Sequence, residues 1–530
     1  MELRRFHLFL RWGRILPIIA AVMLLSGLPS AARPDESFIG TLPAPASTKK
    51  MSGSFSLDSK TRLIADDDPS KNLAGLLRAC GFKRIAPPRA SGAVPTRAQL
   101  AWQRMEFYAF IHFGMNTFTD HEWGEGRAPA ETFNPTELDC RQWARVAKEA
   151  GMRGIIITAK HHDGFCLWPS STTEYSVKYS KWRDGRGDVL KELSQACREY
   201  GLGFGVYISP WDRNHPLYGT PRYNRVYKEQ WREVLTGYGE IFESWLDGAN
   251  DNTKRMVYDF HGFFETIKKH QPGTLIFSDA GPDIRWVGNE RGFAGETNWS
   301  TRDNEGTFPG FADEKALNVG DENGDRWIPA ECDVSIRPGW FYHAKEDESL
   351  KSVEQLMDIY YSSVGRNANL LLNIGVDRRG LVNENDARRL MEFKKAREEA
   401  FKENLARGKA AATNVRGNAF RAENVLDSDP ATYWATGDGV TSASLEINFG
   451  RTLEFNRFLA QENIALGQRV KKFSVQIWNG SSWEMVARQT TIGHKRILRF
   501  PAVKTSRLKL VIEEAKAAPT IASIEIYNAP

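Results

Sequence analysis

Beyond Gln99 the apolar residues fall into short runs separated by longer stretches in which they recur three and four positions apart. Six runs read as strands: Phe107 to Phe113, Gly154 to Ala159, Leu202 to Ile208, Phe242 to Leu246, Thr274 to Ser278 and Asn369 to Ile374. Between them, DCRQWARVAKEAG has a helical period, with Asp139 placed to cap it and Gly151 to stop it. DVLKELSQACREYG repeats the arrangement from Asp188 to Gly201. Strands that alternate with amphipathic helices over such a length predict an α/β fold with a parallel sheet, closed as a (β/α)8-type barrel over residues 98–407. An open doubly wound sheet is the alternative, but no glycine-rich phosphate loop follows the first strand. From about Ala410 the period changes to two, in SLEINFG, KFSVQIWNG, SWEMVAR, KRILRF, RLKLVIEE and ASIEIYN. That pattern predicts an antiparallel, jelly-roll-like β-sandwich over 408–530. Whether the sandwich is a separate binding module or a support for the barrel is left open by the pattern.

The N-terminus reads differently. Arg4, Arg5, Arg11 and Arg14 precede an apolar run from Ile15 to Leu28, and small residues follow to Ala32. This is the layout of a secretory signal over 1–32, and the run is short for a membrane span. The mature chain is therefore expected to lack a membrane span and to be exported, to the periplasm or outside the cell. Residues 33–97, rich in Ser, Pro, Lys and Asp, read as a poorly ordered or peripheral leader with a short helix near Leu73 to Cys80.

Composition narrows the class. A chain of 530 residues, 41% hydrophobic, has room for two or three domains. A net charge of +5 without a dense basic block beyond the N-terminus argues against nucleic acid as a partner. Five scattered cysteines without a CxxC pair indicate neither a disulfide framework nor a thiolate zinc site.

Polar residues collect where the predicted strands end, which is where barrel enzymes assemble their sites. FIHFG carries His112, TAKHHDG ends in His161, His162 and Asp163, VYISPWD ends in Trp211 and Asp212, and ESWLDG ends in Asp247. Two readings compete. A His-His-Asp metal site needs both histidines on one ion, although adjacent strand residues face opposite ways. Glycoside hydrolysis needs two carboxyl groups astride the scissile bond. Asp247, followed by Gly248 and Ala249, is the first candidate nucleophile; Glu290, Glu296 and Glu331 are candidate proton donors that spacing alone does not separate.

The segments EFYAFIHFGMNTFTDHEWGEG, TAKHHDGFCLWPS, FGVYISPWDRNHP, ESWLDGA, GPDIRWVGNERG and SIRPGWFYH occur in order across the predicted barrel. In these the chain resembles glycoside hydrolase family 29, the α-L-fucosidases, and in particular the branch that cleaves α-1,3/α-1,4-linked fucose. The resemblance implies Asp247 as nucleophile and Glu290 as acid/base, with Glu296 in reserve. It also implies a fucose pocket lined by His112, Glu122, Trp123, His161, His162, Trp211 and Trp340, with Trp286, Arg291 and Trp299 as candidates for a second sugar. No cofactor is implied for catalysis, and the implied partners are fucosylated oligosaccharides or glycoconjugates. AENVLDSDPATYWAT followed by SLEINFG resembles a discoidin-like, or coagulation factor 5/8 type C, carbohydrate-binding module. A structural calcium at Asp427 and Asp429 is the expectation attached to that resemblance.

Overall fold

The computed structural model describes residues 85–303, 309–310 and 313–530. The signal segment and the helix expected near Leu73 lie outside them. Eight parallel strands close into a barrel: β1 (Phe107–His112), β2 (Gly154–Lys160), β3 (Gly203–Ile208), β4 (Glu243–Leu246), β5 (Leu275–Ser278), β6 (Ile284–Trp286), β9 (Ala330–Ser335) and β10 (Asn369–Gly375). A small ribbon, β7 (Thr301–Arg302) with β8 (Arg326–Trp327), stands apart. Helices α1 (Arg97–Gln103), α2 (Met115–Thr119), α3 (Cys140–Glu149), α4 (Val189–Tyr200), α5 (Tyr223–Gly237), α6 (Phe260–His270), α7 (Glu314–Val319), α8 (Val353–Ser362) and α9 (Glu384–Ala400) connect them.

Local signals explain the element ends. Asp139 caps α3 by accepting the main-chain N–H groups of Arg141 and Gln142, and Asp188 caps α4 through Lys191. Gly201 ends α4 at φ 65°, a left-handed position that a side chain would strain. Along the strands the period of two sorts side chains. Phe107, Ala109 and Ile111 of β1 pack into the layer beneath the helices, whereas Tyr108 and Phe110 fill the barrel with Tyr207, Trp245, Phe277 and Leu371. At the floor two fully buried carboxyl groups meet. Trp102 Nε1 donates to Glu243 (2.8 Å), and Trp245 Nε1 (2.9 Å) and the Tyr108 hydroxyl donate to Glu331. Burial, and then the charge of Glu331, pushes the Glu243 carboxyl well above the ordinary carboxylate range; Glu331 itself is raised to about 7, chiefly by burial. That pair builds the barrel interior and leaves Glu331 no access to a substrate.

Seven antiparallel strands follow, β11 (Lys409–Ala412) through β17 (Thr520–Tyr527). Two of them, β13 (Ala443–Glu462) and β16 (Arg496–Ala515), run for 20 residues each and pair with register breaks near Asn448 and Phe455, where the ribbon bends round its core. KRILRF and RLKLVIEE, read as two strands, are thus one. The sandwich packs against the segments that lead into β1 and β10 and against the loop that follows β6. Lys495 Nζ meets Glu106 just before β1 (2.6 Å), His494 N–H donates to Asn367 just before β10 (2.6 Å), and Ser300 N–H donates to Gln468 (2.8 Å). Leu459, Ile497 and Tyr527 belong to the same apolar cluster as the barrel helices.

This packing predicts the result of truncation. Deleting residues 410–530 removes the cation that holds Glu106 well below the ordinary carboxylate range, at about 2, and exposes part of the barrel core. The truncated chain should be recovered insoluble, or should lose activity on every substrate, large or small. Wild-type turnover from a soluble 1–409 fragment would show instead that the sandwich is an independent module.

Candidate active site

The residues singled out at the strand ends converge on the C-terminal mouth of the barrel. Two buried ion pairs brace it. Lys160, the last residue of β2, is fully buried and gives its Nζ to Asp212 (3.1 Å), to the Tyr223 hydroxyl (2.7 Å) and to Gln230 (3.0 Å), which ties the ends of β2 and β3 together. Arg337, fully buried, forks onto Asp386 and also reaches Asp347 (2.9 Å), which holds the loop that carries Trp340.

Asp247 sits one residue past β4. Its Oδ2 accepts the Tyr207 hydroxyl (2.8 Å), its Oδ1 accepts Ala249 N–H (2.7 Å), and His162 Nε2 stands 3.9 Å away. Burial, and then the charge of Asp247, drives the Tyr207 phenol well above its ordinary value, so it remains a donor. The three histidines around it are neutral. Burial lowers His112 to about 3, and lowers His161 and His162 as well. Their tautomers follow from their partners. Asn373 turns its Nδ2 to Ser335 (3.0 Å) and to the Trp340 carbonyl (2.8 Å), so its oxygen takes the proton of His112 Nδ1 (2.8 Å) and leaves Nε2 as an acceptor. Asn116 Nδ2 points at His161 Nδ1 (3.4 Å), which makes that nitrogen the acceptor and Nε2 the donor. An acceptor and a donor side by side, with ring centres 5.6 Å apart, match neighbouring sugar hydroxyls.

Aromatic rings wall the mouth. Trp340 lies 4.9 Å from the His112 ring; Trp211 lies 4.9 Å and Trp123 5.9 Å from the His162 ring, and Trp123 is 60% exposed. Glu122 binds the Trp340 loop: Oε2 accepts Trp340 N–H (2.9 Å), and Oε1 accepts Phe341 N–H (3.1 Å) and His343 Nε2 (2.8 Å). Glu290, in the loop after β6, accepts the Trp340 indole N–H on Oε2 (3.4 Å). Its carboxyl is raised, first by burial and then by the charges of Asp247 and Glu122, against the pull of that indole.

Other sequence candidates stand apart. The main-chain oxygen of Glu296 accepts the Thr490 hydroxyl (3.0 Å) and the Arg496 guanidinium (2.5 Å), and its carboxylate lies 3.8 Å from Arg366, so it belongs to the sandwich interface. Trp299 is buried with Lys516 of the sandwich 5.3 Å from its ring centre, and Arg291 is exposed. Trp286 does share the barrel interior with Trp340 and gives its N–H to Asp333 (2.8 Å). The metal reading finds no support. His161 Nδ1 faces Asn116, His162 Nδ1 faces Ser209 (2.7 Å), and Asp163, raised to about 7 by burial, accepts Phe165 N–H (3.1 Å). Among the described residues no three His, Cys, Asp or Glu side chains come together to hold an ion. In the sandwich, Asp427 accepts Asp429 N–H (2.9 Å) and the Thr432 hydroxyl (2.8 Å), and Asp429 accepts Ala431 N–H (2.9 Å). These carboxylates are spent on their own turn and do not by themselves supply the six to eight oxygens that calcium takes.

Four site residues were missed in the sequence: Tyr207, Ser209, Asn373 and His343. Tyr207 and Asn373 sit in strands that read as core, and only the inward parity of β3 and β10 relative to Asp247 and His112 marks them.

A closed parallel barrel that gathers two carboxyl groups, neutral histidines and indole rings at its C-terminal mouth defines a barrel glycoside hydrolase. The model of the family described as Alpha-L-fucosidase matches residues 93–395, more than half of the chain, and the F5/8 type C domain model matches 409–526. The chain belongs to the α-L-fucosidase family and is a glycoside hydrolase of that activity. It is 46% identical to alpha-L-fucosidase 1 of Arabidopsis thaliana over 82% of this chain and 87% of that one. Among solved structures it is similar to a Ruminococcus gnavus GH29 fucosidase in complex with fucose (34% identity, TM-score 0.79, covering 84% of this chain and 97% of that one). A glycoside hydrolase 29 family member from an unknown rumen bacterium matches at 46% identity and TM-score 0.74, over 84% of this chain and 78% of that one.

Proposed function

We propose that this α-L-fucosidase works with retention, Asp247 as nucleophile and Glu290 as acid/base, on terminal α-1,3- or α-1,4-linked fucose of branched glycans. The observation that carries the reading is the joint setting of Asp247 and Glu290 in one mouth, the first oriented by Tyr207 and Ala249, the second beside Trp340 with its carboxyl raised. Asp247 attacks the anomeric carbon while protonated Glu290 gives its proton to the departing glycosidic oxygen. Water then attacks the fucosyl-enzyme and passes a proton to Glu290, which frees Asp247 with the configuration retained. His112 and His161 hold ring hydroxyls, Glu122 lies beside them, and Trp340 with Trp123 and Trp211 supplies apolar surface for a sugar that ends in a methyl group. No cofactor enters any step. The basic and apolar N-terminal pattern supports export to the periplasm or outside the cell, where such glycans are met.

The preference for branched substrates rests on WVGNERG and on the position of Trp286 beside the mouth. A second sugar next to the leaving group adds contacts that align the scissile bond, so a substrate lacking it should lose turnover as well as affinity. The test is fucose release from a Lewis-type trisaccharide, from α-1,2-fucosyllactose and from an aryl fucoside at equal concentration, with the product anomer followed by NMR in the first minutes. The trisaccharide should be cleaved at least about tenfold faster than the others, and α-fucose should appear first. Equal rates would end the branched-substrate claim, and the β-anomer appearing first would end the retaining mechanism.

A further inference from the structure

We propose that His343 is a positioning residue for this reaction: as an imidazolium shared between Asp120 and Glu122, it sets Glu122 against the Trp340 loop and, through the Trp340 indole, sets Glu290. The inference rests on the reading of the barrel mouth given above. His343 is buried, and both of its ring nitrogens face carboxylates, Nδ1 at 2.7 Å from Asp120 and Nε2 at 2.8 Å from Glu122. A neutral imidazole has one N–H and cannot donate to both, so the geometry calls for the doubly protonated ring. Asp120 is aimed by a left-handed backbone (φ 59°) at the end of α2. Gly339 lets Glu122 approach so closely that a Cβ there would lie 2.3 Å from Glu122 Oε1. From Asp120 the contacts run in series to His343, Glu122, the main-chain N–H of Trp340 and the indole on Glu290.

The electrostatic surroundings agree. Burial works against the charge on His343, but hydrogen bonds to Asp120 and Glu122, with Glu346 nearby, outweigh it and raise the ring above its ordinary value. On the basic side, Lys345 and Arg378 face Asp120, and Arg337 Nη1 reaches the His343 carbonyl at 3.4 Å. As pH rises past the raised value the ring loses a proton, one carboxylate contact breaks, and the Trp340 loop loses its charged tie. Activity should therefore fall on the alkaline side for a reason separate from Glu290.

The test uses the full-length protein with Asp120→Asn and His343→Gln. Asp120 lies outside the pocket with its side chain half exposed, so Asp120→Asn should fold normally while removing one of the charges that raise the ring. Its alkaline limb in kcat/KM on the trisaccharide should move down by about one pH unit, with the acidic limb in place. The His343 imidazole, assigned in NMR spectra by its absence from His343→Gln, should titrate above 6.5 in the wild type and move by the same amount. His343→Gln, which keeps one donor, should lose about tenfold in kcat/KM and lose the dependence on Asp120. An imidazole that titrates at or below 6.5, or an alkaline limb unmoved in Asp120→Asn, would overturn the proposal. If His343→Gln fails to fold, Asp120→Asn still decides. If the wild type releases no fucose, the reading of the mouth fails, while the imidazole titration still tests the cation.

Discussion

Asp247→Ala should lower fucose release by about four orders of magnitude without loss of the fold. The carboxylate is partly exposed at a strand tip, and its partners are a main-chain N–H and a phenol, so its removal opens no large cavity. Stability should change by no more than about 1 kcal/mol. What disappears is the atom that bonds to the anomeric carbon. The neutral His162 and the phenol of Tyr207 cannot replace it, since neither carries a negative charge near neutral pH. A small anion that fits the vacated space should restore part of the turnover on a substrate with a good leaving group. With azide the product should be fucosyl azide of inverted configuration, because the attack then comes once, from the nucleophile's side. The measurement is turnover beside a thermal melt. A well-folded variant within tenfold of wild type would remove Asp247 from the nucleophile's role.

How far the chain discloses its own fold can be judged from the two barrel strands that the apolar pattern does not reveal. β6 is three residues long with Arg285 at its centre, and β9 reads AECDVS, with two acids among its six residues. Both defeat a search for apolar runs because their polar side chains find partners on distant elements, Glu331 and Asp333 inside the barrel and Arg285 on its outer side. Glu331 meets Tyr108 and Trp245, Asp333 meets Trp286, and Arg285 reaches main-chain oxygens of Leu317 and Trp299. Such residues become satisfied only after the barrel has closed, so no local signal announces them. The strand-tip residues were legible for the opposite reason. His112, His161, His162 and Asp247 each end an apolar run, and the end of a barrel strand already implies the mouth. The fate of Glu122 lay between these cases. Its place in the mouth followed from the family motif, but its hold on the Trp340 loop depends on residues more than two hundred positions away.

Glu290→Gln should cost about a thousandfold on the trisaccharide and far less in the first step on an activated aryl fucoside, because only the natural leaving group must be protonated to depart. The setting of the carboxyl suits both halves of its work. In the free enzyme burial and the charge of Asp247 raise it, so it is held protonated to higher pH than an ordinary glutamate. Once Asp247 is bonded to fucose its charge is gone, one cause of the raised value goes with it, and the indole of Trp340 favours the ionised form. The same group then acts as base on the incoming water. The sign for activity follows: on the trisaccharide kcat/KM should fall as pH rises through the raised value, in addition to the fall tied to His343, and Glu290→Gln should lose the first of these descents, while on the activated substrate azide should accelerate the second step of that variant. Glu296→Gln should stay within about twofold of wild type, because its carboxylate faces Arg366 in the interface with the sandwich. If Glu296→Gln proves the more damaging on natural glycans, the proton comes from a loop that must leave that interface to reach the substrate, and Glu290 is a wall of the site rather than its acid.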